Sequence, residues 1–282
     1  GYMSQYAHPE SLVSTSWVAA NLSKSTICLV EVDVDTSAYK TGHICGAIGW
    51  NWTTQLQDTL SRDIISKPQM EDLLGSSGIS NDTTVVLYGD NNNWFAAWAF
   101  WQMKIYGHDA VKLMNGGRAT WESEKRSFTQ EIPKVSQVSY TASEPDESIR
   151  AYREEVLKAV NMGNTSFLDV RSPSEFSGDV IAPENILQEG AQRSGHIPNA
   201  VNIPWAMTVS SDGTFKPFQE LKEIYAEAGI TEASSTITYC RIGERSSHSW
   251  FVLTQLLGLK KVRNYDGSWT EYGSIVRAKI QR

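Results

Sequence analysis

Residues 78–89 read GISNDTTVVLYG, and residues 229–240 read GITEASSTITYC. Both stretches have the same plan: a glycine, a polar turn, a short β-rich apolar run ending in tyrosine, and one residue at which the chain must turn again. Adding 151 carries Gly78 to Gly229, Tyr88 to Tyr239, Gly107 to Gly258 and Gly116 to Gly267, and the register holds to Trp121 and Tyr272. Upstream, Gly42-His43-Ile44 and Trp52 match Gly195-His196-Ile197 and Trp205 at a shift of 153. Earlier still, Val30-Glu31-Val32 matches Leu168-Asp169-Val170 at a shift of 138. The step from 138 to 153 places 15 extra residues in the second copy, between Phe176 and Gly195. A period this long marks a duplicated domain, because solenoid repeats run only about 20–50 residues.

The polar, proline-containing stretch at 139–148 suits a linker, so the expected division is a first domain at 1–140, a linker at 141–150 and a second domain at 151–282. Within the copies, Thr26–Val32, Thr84–Tyr88, Ser166–Val170 and Thr236–Tyr239 read as strands. Glu154–Val160, Gln219–Ala228 and Ser246–Leu257 read as helices, with Gly229 and Gly258 placed as C-terminal caps. Near-continuous apolar strands alternating with helices predict α/β domains, each a parallel sheet flanked by helices on both faces. The run Trp94–Trp101 reads as helix packing, and Asn91-Asn92-Asn93 as a turn and helix cap.

Bulk composition narrows the function. The 282 residues are 40% hydrophobic and 20% charged, which is ordinary for a folded domain pair and too apolar for disorder. A net charge of −7, without a long Lys/Arg run, argues against a nucleic-acid partner, so an anionic ligand needs a local cluster of cations. No apolar stretch reaches the roughly 18 residues that cross a bilayer, which predicts no membrane partner. Gly1-Tyr2-Met3-Ser4 does not read as a signal peptide, and the glycine ahead of Met3 reads as a remnant outside the fold. Three cysteines without CxxC spacing (Cys28, Cys45 and Cys240) predict no disulfide framework, no zinc site and a reducing, cytoplasmic setting. Nothing in the residues asks for a cofactor.

The copies part at one loop. After Tyr88 the chain continues Gly89-Asp90-Asn91-Asn92-Asn93; after Tyr239 it continues Cys240-Arg241-Ile242-Gly243-Glu244-Arg245-Ser246. Ligands of parallel α/β sheets bind beyond the carboxyl ends of the strands. A thiol there, ahead of a helix starting near Ser246, would meet unpaired amides, the positive helix end and the charges of Arg241 and Arg245. Such surroundings lower a thiol pKa from about 8.5, so the expectation is a nucleophilic thiolate whose cradle can also hold a persulfide. Gly243 lets the loop turn without a side chain in the pocket. Cys28 and Cys45 read instead as small buried apolar residues, and the five histidines as structural.

With these residues in place, the chain resembles a tandem-domain rhodanese, a thiosulfate sulfurtransferase. The resemblance spans nearly the whole chain. It rests on Gly-His-Ile at 42–44 and 195–197, CRIGERS at 240–246, and the closing segments Asn115-Gly116-Gly117 and Asp266-Gly267-Ser268-Trp269. It implies two rhodanese-like domains, of which only the second is catalytic. It also implies a double displacement: thiosulfate gives its outer sulfur to Cys240 and leaves as sulfite, then cyanide, a thiol or a protein acceptor takes the sulfur. Arg241 and Arg245 would shape the loop and hold the donor. Glu244 departs from the more cationic loops of some members and would temper anion binding. Some relatives carry arginine where Glu175 stands, and Arg193 could substitute for it. Asp169 and Arg171 would form an ion pair at a strand end.

Rival readings share the fold. A cysteine phosphatase or arsenate reductase needs five residues between cysteine and arginine, but Arg245 follows Cys240 after four and Ser246 holds the next place. A 3-mercaptopyruvate sulfurtransferase tends to have small residues after the cysteine, where Arg241 suits a dianionic donor. A persulfide carrier serving a protein acceptor is the non-enzymatic alternative.

Overall fold

A computed structural model describes residues 1–183 and 190–282. Residues 184–189, within the predicted insertion, lie outside them. The described residues divide into two units, each with one parallel sheet and its own core. One unit comprises Pro9–Asp146 with Ser210–Phe215; the other comprises Gly1–His8, Glu147–Val209 and Lys216–Arg282.

In the first unit the strands are β1 (Leu12–Val13), β2 (Ile27–Val32), β3 (Ile48–Trp50), β4 (Thr84–Tyr88) and β5 (Val111–Met114), ordered β1-β5-β4-β2-β3 and all parallel. In the second they are β6 (Thr165–Asp169), β7 (Val201–Asn202), β8 (Ser235–Tyr239) and β9 (Val262–Asn264), ordered β7-β6-β8-β9 and again parallel. Glu31 sits opposite Tyr88 on neighbouring strands, and Asp169 sits opposite Tyr239, so the two sequence shifts reappear as one register.

Both sheets are flanked by helices, and the helices explain the sequence patterns. Trp94–Ile105 buries every residue except Lys104, and a helix apolar all round belongs in a core. The helix expected at Ser246–Leu257 begins two residues earlier: Glu244–Phe251 is α-helical and Val252–Leu256 loosens into a π turn. Gly229 and Gly258 take φ of +80° and +75°, as the C-cap reading required. Two homologous locks hold the cores. The buried Tyr88 hydroxyl accepts from Ile44 N at 3.0 Å, and that of Tyr239 accepts from Ile197 N at 3.1 Å, so neither amide is left unsatisfied.

The division does not follow the chain in a simple way. Residues 1–8, expected within the first domain, belong to the second unit: Ala7 N and His8 N donate to Leu256 O and Gln255 O at 2.9 Å, and the Tyr6 hydroxyl donates to Lys216 O. Residues 210–215 do the reverse. Phe215 N donates to Asn115 Oδ1, and Asp212 O accepts from the Thr120 hydroxyl. Contacts between residues this far apart in sequence leave no local signal.

Candidate active site

The loop after β8 is built around the sulfur of Cys240. Gly243 N donates to Sγ at 3.1 Å, from a turn with φ of +106°. A Cβ at Gly243 would lie 3.0 Å from the Cα and Cβ of Asp266, so conformation and space both demand glycine. The backbone of Cys240 is pinned from the closing segment. Cys240 N donates to Ser268 Oγ at 3.1 Å, and Cys240 O accepts from Trp269 N at 2.9 Å. Ser268 pays for this with a left-handed φ of +55°, a strain that persists only where the surroundings over-determine it. Beneath the loop a chain of hydrogen bonds runs from Thr238 through Asn264 and Ser247 to Gly243 O. Ser247, Asn264 and Ser268 were not singled out from sequence. Their signal was present only as the polar residues of the helix start and of the Asp-Gly-Ser-Trp segment.

The electrostatics differ from the expectation. Cys240 is 0% exposed, and burial, reinforced by the Glu244 carboxylate, pushes its thiol up to about 11 against the opposing pull of Arg245. Sγ lies 3.2 Å from Glu244 Oε1, placed to donate its proton there, and 3.5 Å from Ser246 Oγ. The direction is opposite to the expected acidic thiolate: burial first, and then the Glu244 carboxylate, both favour the neutral thiol. The neighbouring charges add to this. Arg245 gives its guanidinium to Glu175, NH1 to Oε1 at 2.8 Å and NH2 to Oε2 at 3.0 Å, with its own Nε 3.6 Å from Glu244. Burial pushes Glu175 up, but Arg245 overcomes this and holds it below the usual carboxylate range. Burial also pulls Arg241 below the ordinary arginine range. The half-buried Ile242 lies beside it in the loop.

Arg193, expected near the donor, is spent elsewhere: its guanidinium donates to the carbonyls of Gly273, Ala278 and Ile275. It clamps the C-terminal segment, and its expected donor contact has no support in this geometry. Asp169 and Arg171 form a fully buried pair at 2.7 Å, and Arg171 also donates to Gly195 O and faces the Trp269 ring. The first unit builds the same device from another residue, since Arg118 joins Glu31 to Gly42 O. His43 and His196 stack on Tyr39 and Phe176, with ring nitrogens against backbone carbonyls, in keeping with structural roles. Cys28 is half-buried, whereas Cys45 is exposed, so the burial expected of Cys45 is corrected.

The corresponding loop of the first unit is filled by its own groups. A Cβ at Gly89 would lie 1.9 Å from Val32 O. Asp90 accepts from Val34 N and Asp35 N, and its own amide donates to Asp33 Oδ1 at 2.8 Å. Asn91, Asn92 and Asn93 all take left-handed φ, and Asn93, at the position of Glu244 in the repeat, accepts from Gly89 N at 2.8 Å.

Comparison with known proteins agrees with the duplicated architecture. The family described as Rhodanese-like domain matches twice, at residues 14–124 and 152–274. A protein of Mycolicibacterium smegmatis named "Putative thiosulfate sulfurtransferase" is 55% identical over 98% of this chain and 99% of its own. The sulfur carrier protein TtuD of Thermus thermophilus is 51% identical over 98% of each chain. Escherichia coli SseA, whose structure is described for the rhodanese fold of 3-mercaptopyruvate sulfotransferases, aligns at a TM-score of 0.78 and 22% identity, over 92% of this chain and 98% of that one; this likeness shows the fold. Among the described residues, no helix is long and apolar enough to cross a membrane.

Proposed function

The chain belongs to the rhodanese-like family, and on that premise we propose that it is a thiosulfate sulfurtransferase carrying sulfane sulfur as a persulfide on Cys240. The observation that supports this most directly is the seat of Sγ at a strand end, held by the Gly243 amide at 3.1 Å and followed by a helix N-terminus. In the first half-reaction the Cys240 sulfur attacks the outer sulfur of thiosulfate. The sulfur–sulfur bond of the donor breaks, and sulfite leaves with the electron pair. In the second, cyanide, a thiol or a protein acceptor attacks the terminal sulfur, and the Cys240 sulfur departs with the electrons. Arg241, the residue after the nucleophile, is the cation assigned to the donor. Arg245, committed to Glu175, fixes the loop. Because Cys240 is enclosed, the loop opens before a donor reaches it. The first domain, whose loop is glycine and self-filled, is assigned a supporting, non-catalytic role.

A second reading draws on the relative named as a sulfur carrier: the same persulfide could be handed to a protein acceptor with little free turnover. Intact mass after thiosulfate treatment tests the common core. One added sulfur that cyanide removes is expected in the wild type and is absent from Cys240→Ser; a sulfur retained by that variant rejects the assignment. Parallel double-reciprocal lines with thiosulfate and cyanide support the enzyme, and a stable persulfide with negligible turnover supports the carrier.

A further inference from the structure

Glu244 stands where the first repeat has Asn93, a residue that cannot hold an extra proton. In the second repeat its carboxylate is 5% exposed and touches the nucleophile: Oε1 is 3.2 Å from Cys240 Sγ, and it also accepts from Arg245 N at 3.1 Å. A glutamate in the first turn of a helix is commonly a partner of the helix dipole. A carboxylate shielded from solvent and in contact with a thiol has further chemistry open to it. Arg245 lies between two carboxylates, paired with Glu175 at 2.8 and 3.0 Å and with its Nε 3.6 Å from Glu244, and Arg241 is the other cation of the loop, so two cations are set against two carboxylates. On the remaining side Asp266 packs against Gly243, its carboxylate committed to Arg150 at 2.9 and 3.1 Å.

Resting on the sulfurtransferase reading above, we propose that Glu244 is a catalytic residue that takes the Cys240 proton when sulfur is loaded and keeps it within the site while the persulfide stands. The balance closes without solvent. Thiosulfate enters as a dianion. The S–H proton passes to Glu244 Oε1, the freed electron pair of Cys240 forms the new sulfur–sulfur bond, and the donor's own sulfur–sulfur bond breaks to release sulfite as a dianion. Thiol plus carboxylate becomes persulfide anion plus carboxylic acid, with no change in the charge of the site. A persulfide is a stronger acid than its parent thiol, so the proton favours Glu244 more once the sulfur is loaded. Discharge to a thiolate or cyanide returns the proton to Cys240. Each sulfur is then loaded and discharged without a proton leaving the site.

The test compares wild type, Glu244→Gln and Glu244→Asp in weak buffer with a pH indicator, at a pH where sulfite leaves as the dianion. Wild type is expected to release no proton per sulfur bound, with a loading rate that does not climb with pH while the thiol keeps its proton. Glu244→Gln is expected to release one proton per sulfur, with a rate that climbs about tenfold per pH unit, as direct deprotonation to solvent requires. Glu244→Asp, which keeps the acid, should restore proton retention. Equal proton release and equal pH slopes in wild type and Glu244→Gln would overturn the proposal. Thiolate absorbance read without any donor separates this from a failure of the parent reading. Glu244→Gln must lower the Cys240 titration, and an unchanged titration rejects the role of Glu244 even if sulfur is loaded. A wild type that gains no sulfur from thiosulfate rejects the sulfurtransferase reading instead.

Discussion

Arg245 and Glu175 face each other with paired contacts of 2.8 and 3.0 Å, their side chains 4% and 1% exposed. Seventy positions apart in sequence, they tie the helix Pro173–Ser177 to the nucleophile loop. A buried pair is fragile when halved, because one charge is left without its partner. Glu175→Ala is expected to cost about 3–5 kcal/mol, and adding Arg245→Met should recover part of that loss rather than add to it. Denaturant unfolding of both variants checks this; strictly additive losses would show that the two residues are not coupled.

At Gly89 the first domain cannot accept even a methyl group without moving Val32 O, 1.9 Å from where it would lie. Gly89→Ala should therefore destabilise by about 1–3 kcal/mol through overpacking, read as a lowered Tm. Gly89→Cys should gain no second sulfur from thiosulfate, which intact mass would show.

His248 is buried edge-on to Trp205 at 5.6 Å, and burial pulls its ring down to about 3. Native His248 thus stays neutral, while the unfolded chain takes up a proton near pH 6.5. Its contribution is complete above that value and is lost as the pH falls toward 3, by about 1.4 kcal/mol per unit. His248→Phe should flatten this part of the acid limb in urea titrations between pH 7 and 5. A variant as acid-sensitive as wild type would contradict the assignment.

Arg241, the residue after Cys240, is the cation proposed to hold the donor. Arg241→Gly should cost about 1.5–3 kcal/mol in kcat/KM with thiosulfate, and less with mercaptopyruvate, which carries less charge. Equal losses on both donors would remove Arg241 as the basis of specificity.

Periodicity and the internal repeat made the two parallel α/β sheets legible, because strand, turn and helix-cap signals are local and were written twice. Cys240 was legible for the same reason, as a cysteine standing where the first copy has Gly89. The exchange of residues 1–8 and 210–215 between the units was not legible, since each of its hydrogen bonds has a backbone group on at least one side and joins residues about 90 or more positions apart. Nor was the commitment of Arg193 to three carbonyls, because a free arginine and a clamped one look alike in sequence.

What the residues determined alone is a duplicated domain whose second copy carries a cysteine where the first has glycine, because patterning and residue identity act over a few positions. What only the tertiary structure decided is the state of that nucleophile. Cys240 is shut away from water, Glu244 turns inward against the sulfur, and Glu175 arrives from a distant helix to occupy Arg245, so the thiol is pushed up where a count of nearby arginines had promised a lowered value. The pKa of a buried group is set by every charge around it and by the water removed, and folding chooses both.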